Sequence, residues 1–93
     1  MTIAVLRVRF LVHGARSLKH KRHVVRSLKD RLRNAFNVAV SETDDQDEWG
    51  SAELGIVTIG TEARYVNGAL ERVKGYIEAS PAVRITESEI EIL

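Results

Sequence analysis

The apolar period of this chain switches between two residues and about 3.6 residues in a fixed order, and that order limits the fold more than any other feature. Ala4, Leu6, Val8, Phe10 and Val12 share one face of an extended segment, and Ile3, Val5, Arg7, Arg9 and Leu11 share the other. The first set is wholly apolar and predicts a core-facing side. The second holds two arginines and predicts a partly wet one. His13-Gly14-Ala15-Arg16 predict a turn. Ser17 suits a helix cap, because its hydroxyl can accept a first-turn N–H. A helix from about residue 18 to 35 follows, with Leu18, Val24, Val25, Leu28, Leu32, Ala35 and Phe36 within a sector about 120° wide.

A short strand over about residues 37–43 comes next, then the polar run Asp44-Asp45-Gln46-Asp47-Glu48-Trp49-Gly50, which predicts a hairpin connection. From about residue 51 to 59 the chain is apolar on both faces, with Leu54 and Ile56 on one and Val57 and Ile59 on the other, as in a central strand. Gly60 and Thr61 turn it into a second helix, about residues 62–79, with Thr61 as the expected cap and Val66, Leu70, Val73 and Ile77 as its stripe. Ser80-Pro81 end that helix. The last strand changes phase between Ile85 and Ile90, so a bulge near Glu87-Ser88 is expected.

Strand, helix, strand, strand, helix, strand, with two right-handed crossovers on one sheet, predicts a ferredoxin-like α+β sandwich: a four-stranded antiparallel sheet with two helices on one face. Ninety-three residues predict one domain, 1–93. The other sheet face stays uncovered, with Ile3, Val5, Val57 and Ile59 on it. A homodimer built through this face, or through an edge strand, is the simplest way to use that surface.

A composition of 44% hydrophobic and 29% charged residues excludes disorder. The absence of cysteine excludes disulfides, thiolate nucleophiles and cysteine-based zinc sites. Arg7 and Arg9 interrupt the first apolar run, so no signal peptide is expected, and no stretch reaches the ~18 apolar residues of a membrane span. A cytoplasmic protein with no membrane partner is the expectation.

The net charge of +1 hides a polarity. Residues 1–40 hold ten Lys and Arg against the single acid Asp30, a balance of +9; residues 41–93 hold four basic and twelve acidic residues, a balance of −8. On the first helix Lys19, Arg22, Arg26, Lys29 and Arg33 fall on one ridge at i, i+3 and i+4 spacings, where like charges repel. Three readings are open: a solvated face neighboured by the chain's own glutamates, a surface for nucleic-acid phosphates, or one for another acidic partner. Asp30 is placed to pair with Arg26. At the helix entrance Arg16, Ser17 and Lys21 suggest an anion site, which competes with internal pairing to acids of the last strand or the acidic loop. Lys21 lies within the apolar stripe, so its stem is expected to pack while its ammonium reaches solvent.

Arg7 and Arg9 are expected to pair across strands with Glu87, Glu89 and Glu91, with RNA or a second subunit as the competing use. The open face lacks the aromatics on which an RNA-recognition sheet stacks bases, which moves RNA binding to the helix. Trp49 either anchors the hairpin or lies at a contact surface. His13, His20 and His23 make no convincing metal site, and Asp44, Asp45, Asp47 and Glu48 lack the glycine and terminal glutamate of a calcium loop, so no metal and no cofactor are expected. Acylphosphatases share this size and topology, and Arg16 sits where they carry a loop arginine. None of Asn34, Asn37 and Asn67 falls in the third strand, however, and their glycine-rich phosphate loop is missing. A non-catalytic protein is expected.

The run Gly14-Ala15-Arg16-Ser17-Leu18-Lys19-His20-Lys21-Arg22, then Val25 and Ser27-Leu28-Lys29-Asp30-Arg31-Leu32-Arg33, closely resembles the YlxP-like family of small bacterial proteins. So do Phe36-Asn37-Val38, Gln46-Asp47 to Trp49, Leu54-Gly55 and Glu89-Ile90-Glu91-Ile92, and the resemblance spans nearly the whole chain. His20 departs from it, because the family commonly has an acidic residue there. The family is a domain of unknown function. The resemblance implies a ferredoxin-like fold and genes set among those for translation and ribosome maturation. It adds weight to RNA or a ribosomal component as partner, and supplies no catalytic residues.

Overall fold

Strand β1 (Thr2–Val12) buries Ala4, Leu6, Val8, Phe10 and Val12 on one face, and its neighbours are laid out around that face. The computed structural model describes residues 1–44 and 48–93. Helix α1 (Leu18–Ala35), β2 (Ala39–Asp44), β3 (Ser51–Gly60), α2 (Ala63–Glu78) and β4 (Val83–Ile92) follow in order. The sheet order is β2-β3-β1-β4, antiparallel throughout. With α1 packed towards β2 and α2 over β1, β3 and β4, this is the ferredoxin-like sandwich.

β1 pairs with β3 along nearly its whole length, from Thr2 opposite Gly60 to Leu11 opposite Ser51. On its other edge the register with β4 changes: Arg9 faces Glu87, but Phe10 faces Ile85. Thr86 is the extra residue, and its hydroxyl donates to the Arg9 carbonyl at 3.2 Å. The bulge thus lies one residue before the expected Glu87-Ser88, and it brings Val83, Ile85 and Ile90 to one side of the sheet. A second irregularity leaves Thr43 unmatched between Glu42 and Asp44. A Cβ at Gly55 would come within 2.9 Å of Thr43 Cγ2, so the bare glycine gives Thr43 its place.

The core joins the β1 face to Val25, Leu28 and Leu32 of α1, to Leu54 and Ile56 of β3 and to the α2 stripe Val66, Leu70, Val73 and Ile77. Three local expectations need correction. Ala35 is exposed: it ends α1, and Phe36 turns inward in its place, edge-on to Tyr76 with centroids 5.7 Å apart. Thr61 does not cap α2. Pairing with Thr2 carries β3 through Gly60, so the helix starts a residue later, with Glu62 as the N-cap and no side-chain bond to the helix. Trp49 does not anchor the hairpin, because it is 51% exposed and outside the core. Asp45, Gln46 and Asp47 lie outside the described residues.

Leu28→Ala is expected to lower the unfolding free energy by about 2–5 kcal/mol. Ala35→Ser should stay within about 0.5 kcal/mol. Urea titrations of the two variants check this difference.

Candidate nucleic-acid interface

The site begins at a tight turn. Gly14 has φ +63, in the left-handed region that favours glycine, and it delivers the chain to Ser17. The Ser17 backbone is extended, and its Oγ accepts the His20 N–H at 3.1 Å, as expected of a cap. From there the helix sorts its cations by angle. Val25, Leu28 and Leu32 point at the sheet together with Lys21, while Lys19, Arg22, Arg26 and Arg33 are exposed and Lys29 is half-buried.

Arg33 shows where the ridge lies. Its Nη2 donates to the Val40 carbonyl at 2.8 Å, so the ridge runs along the β2 edge of the sandwich. Its Nη1 sits 3.6 Å from Asp30 Oδ1, and this pair replaces the expected Asp30–Arg26 contact. Lys19, Arg22, Arg26 and Lys29 have no ion pair among the described residues. Between the side chains of Lys19, Arg22 and Arg26 runs a groove of about 280 Å³, lined also by His23. A second groove, of about 270 Å³, continues past Arg26 towards Asn34.

The entrance residues do not converge. Arg16 is exposed on the loop and Ser17 is used as the cap. Lys21 is fully buried, and its Nζ lies 2.6 Å from Glu42 Oε2. The ammonium therefore does not reach solvent, and a dissolved anion cannot touch it. Its partner among the described residues is Glu42 of β2. The signal was present in the pattern: Glu42 shares the inward parity of Val40, so β2 and α1 each turn one charge of opposite sign towards the core.

The arginines of the open sheet face are compensated within the chain. Arg7 Nη2 meets Glu89 Oε2 at 3.0 Å and Arg7 Nε lies 3.7 Å from Glu53 Oε1. Arg9 Nη2 lies 3.4 Å from both Glu53 Oε2 and Asp44 Oδ2. Glu53 is buried between the two arginines and was not singled out from the sequence, although register alone places it opposite Arg9. The cross-strand role of Arg7 and Arg9 holds with Glu89, Glu53 and Asp44 as partners; the expected Glu87 and Glu91 make no ion pair with them among the described residues, because Glu53 and Asp44 take Arg9 and Glu91 faces Val5. Among the described residues no group of three or more His, Cys, Asp or Glu could hold a metal, and no helix is long and apolar enough to cross a membrane.

A ferredoxin-like sandwich with a basic first helix and ion-paired arginines on its open sheet face defines a class of small α+β domain. The chain belongs to the family described as protein of unknown function (DUF503), whose model matches residues 3–90. It is similar to an uncharacterized protein, YlxP, of Bacillus subtilis (strain 168), with 32% identity over 81 residues covering 87% of this chain and 88% of that protein.

Removing one partner of a buried pair leaves the other charge without compensation. Lys21→Met is expected to cost about 3–5 kcal/mol, and adding Glu42→Leu should restore most of that loss. Thermal unfolding of the single and double variants measures the coupling.

Proposed function

We propose that this protein is a non-catalytic module that binds structured RNA or a ribonucleoprotein through α1, in keeping with a role in translation or ribosome maturation. The observation that carries the reading is the row Lys19, Arg22, Arg26 and Lys29, four cations on one side of a helix without an ion pair among the described residues. Like charges at this spacing weaken a helix by a few tenths of a kcal/mol per pair, so the fold gains nothing from them. Phosphates bound along the ridge would offset the repulsion and release counterions. The sheet face fits RNA poorly, because its arginines already hold carboxylates.

Binding of an RNA hairpin is expected in the micromolar range at low salt, with log K falling against log salt at a slope of about −3 to −4, as for roughly four neutralised phosphates. The triple variant Arg22→Glu, Arg26→Glu, Lys29→Glu should abolish binding while keeping the circular dichroism of the wild type. Unchanged affinity in that variant defeats the proposal.

A second reading, compatible with the first, is a homodimer through the open face. Val57 and Ile59 are 37% and 52% exposed there, beside half-buried Ile3 and Val5. The edges are less suitable: β2 is short and its Val40 carbonyl is taken by Arg33, and β4 carries Glu87, Glu89 and Glu91 in a row that would repel its own copy. Light scattering should give twice the monomer mass for the wild type and the monomer mass for Val57→Glu.

A further inference from the structure

At the far end of the ridge, just past Arg33, a cleft of about 320 Å³ opens between the end of α1, the link that leads into β2, the end of β3 and one side of α2. Phe36, Val38 and Val73 supply apolar walls, and Asn37, Tyr65 and Arg72 supply polar groups. The side chains of these three residues have no hydrogen-bond or ion-pair partner among the described residues. Tyr65 is 62% exposed, an unusual place for the largest side chain on the outer part of α2. It is not loose: its ring lies so close to Gly60 that a Cβ there would come within 2.9 Å of Tyr65 Cδ2 and 3.4 Å of Cε2. A backbone without a side chain thus seats an aromatic ring at the rim of a cleft. Across from it Asn37 offers both a donor and an acceptor, and Arg72 a planar cation.

We propose that this cleft takes one unstacked base of an RNA whose backbone lies on the α1 ridge. The proposal rests on the RNA-binding reading above. A flat ligand bearing donors, acceptors and an attached phosphate matches the three free groups. Tyr65 stacks on the base, the Asn37 amide reads its edge, and Arg72 takes the adjoining phosphate. A cleft of this size lies at the lower end of small-ligand sites, about 300 Å³, which suits a single base. A protein with such a cleft prefers RNA with an unpaired loop to a blunt duplex, because a base held in a helix cannot enter.

The test has two arms on the full chain. In the first, adenosine or uridine monophosphate is titrated while NMR follows the Tyr65 ring, the Asn37 amide and the Arg72 guanidinium. In the second, the affinities for a looped hairpin and a blunt duplex of equal length are compared for the wild type and for Tyr65→Ala, with unfolding measured alongside. The expected result is saturable shifts at the cleft. Tyr65→Ala should lose about fivefold or more in hairpin affinity at an unchanged salt slope, with duplex affinity unaltered. A second variant, Asn37→Ala, leaves the Tyr65–Gly60 contact in place and should also weaken the hairpin preference. Salt-sensitive RNA binding without cleft shifts, and with both variants equal to the wild type, overturns the cleft and leaves the ridge standing. Failure of the wild type to bind either RNA overturns the ridge, and with it the cleft as an RNA site.

Discussion

The organising constraint is that β1 is paired on both edges but covered on one face only. Its inward side chains nucleate the core, and both helices pack over that side. Its outward arginines then sit in the middle of a sheet, where each needs a carboxylate at hand. Antiparallel pairing provides them from strands distant in sequence: Glu53 from β3, Glu89 from β4 and Asp44 from β2. Pairing on both edges also requires β4 to correct its phase. The bulge at Thr86 does so by adding one residue exactly where β1 passes from Arg9 to Phe10. Isolated surface ion pairs contribute little to stability. Here Glu53 is buried and shared between two arginines, so the network also fixes the register of the three strands.

The same geometry explains which cations remain free. The first forty residues carry most of the positive charge and the remainder nearly all of the negative charge. Strand pairing interleaves the two, so Arg7 and Arg9 on β1 are neutralised. Lys21 faces β2 from the underside of α1 and meets Glu42. Arg33, at the end of α1, reaches the β2 edge. Lys19, Arg22 and Arg26 are exposed and Lys29 is half-buried, and no carboxylate among the described residues pairs with any of the four. Compensation in this protein is decided by whether a side chain points at the sheet, not by its distance along the chain.

The order of elements, the two helix stripes, the Ser17 cap and the face assignments of β1 were legible because each rests on a local period or a single side chain. The partners of the charged residues were less so. Lys21 and Glu42 lie on different elements, and each looks on its own like an intrusion into an apolar pattern; only the packing of α1 over β2 shows that they answer each other. Glu53 was hidden for a similar reason, since its value depends on the register that sets it between Arg7 and Arg9. The Thr61 cap was misplaced because pairing with Thr2 extends β3 beyond the point where turn residues alone would end it. The cleft beside Tyr65 had no sequence signature at all, because its walls come from three separate elements and the link before β2.

Burial of Lys21 also bears on the surface above it. A lysine in the core stripe needs a charged partner, and Glu42, which lies within hydrogen-bond reach, belongs to the short strand that forms the edge beneath the ridge. Arg33 grips that same strand from the other end of the helix, through the Val40 carbonyl. The two contacts fasten α1 to β2 near both of its ends, one by a buried charge pair and one by a charge-assisted hydrogen bond. Directional contacts of this kind fix the rotation of a helix about its axis more narrowly than aliphatic packing, which tolerates small shifts. Fixing that rotation holds Lys19, Arg22, Arg26 and Lys29 in one row along the β2 side of the helix. The internal cations of α1 thus position the external ones.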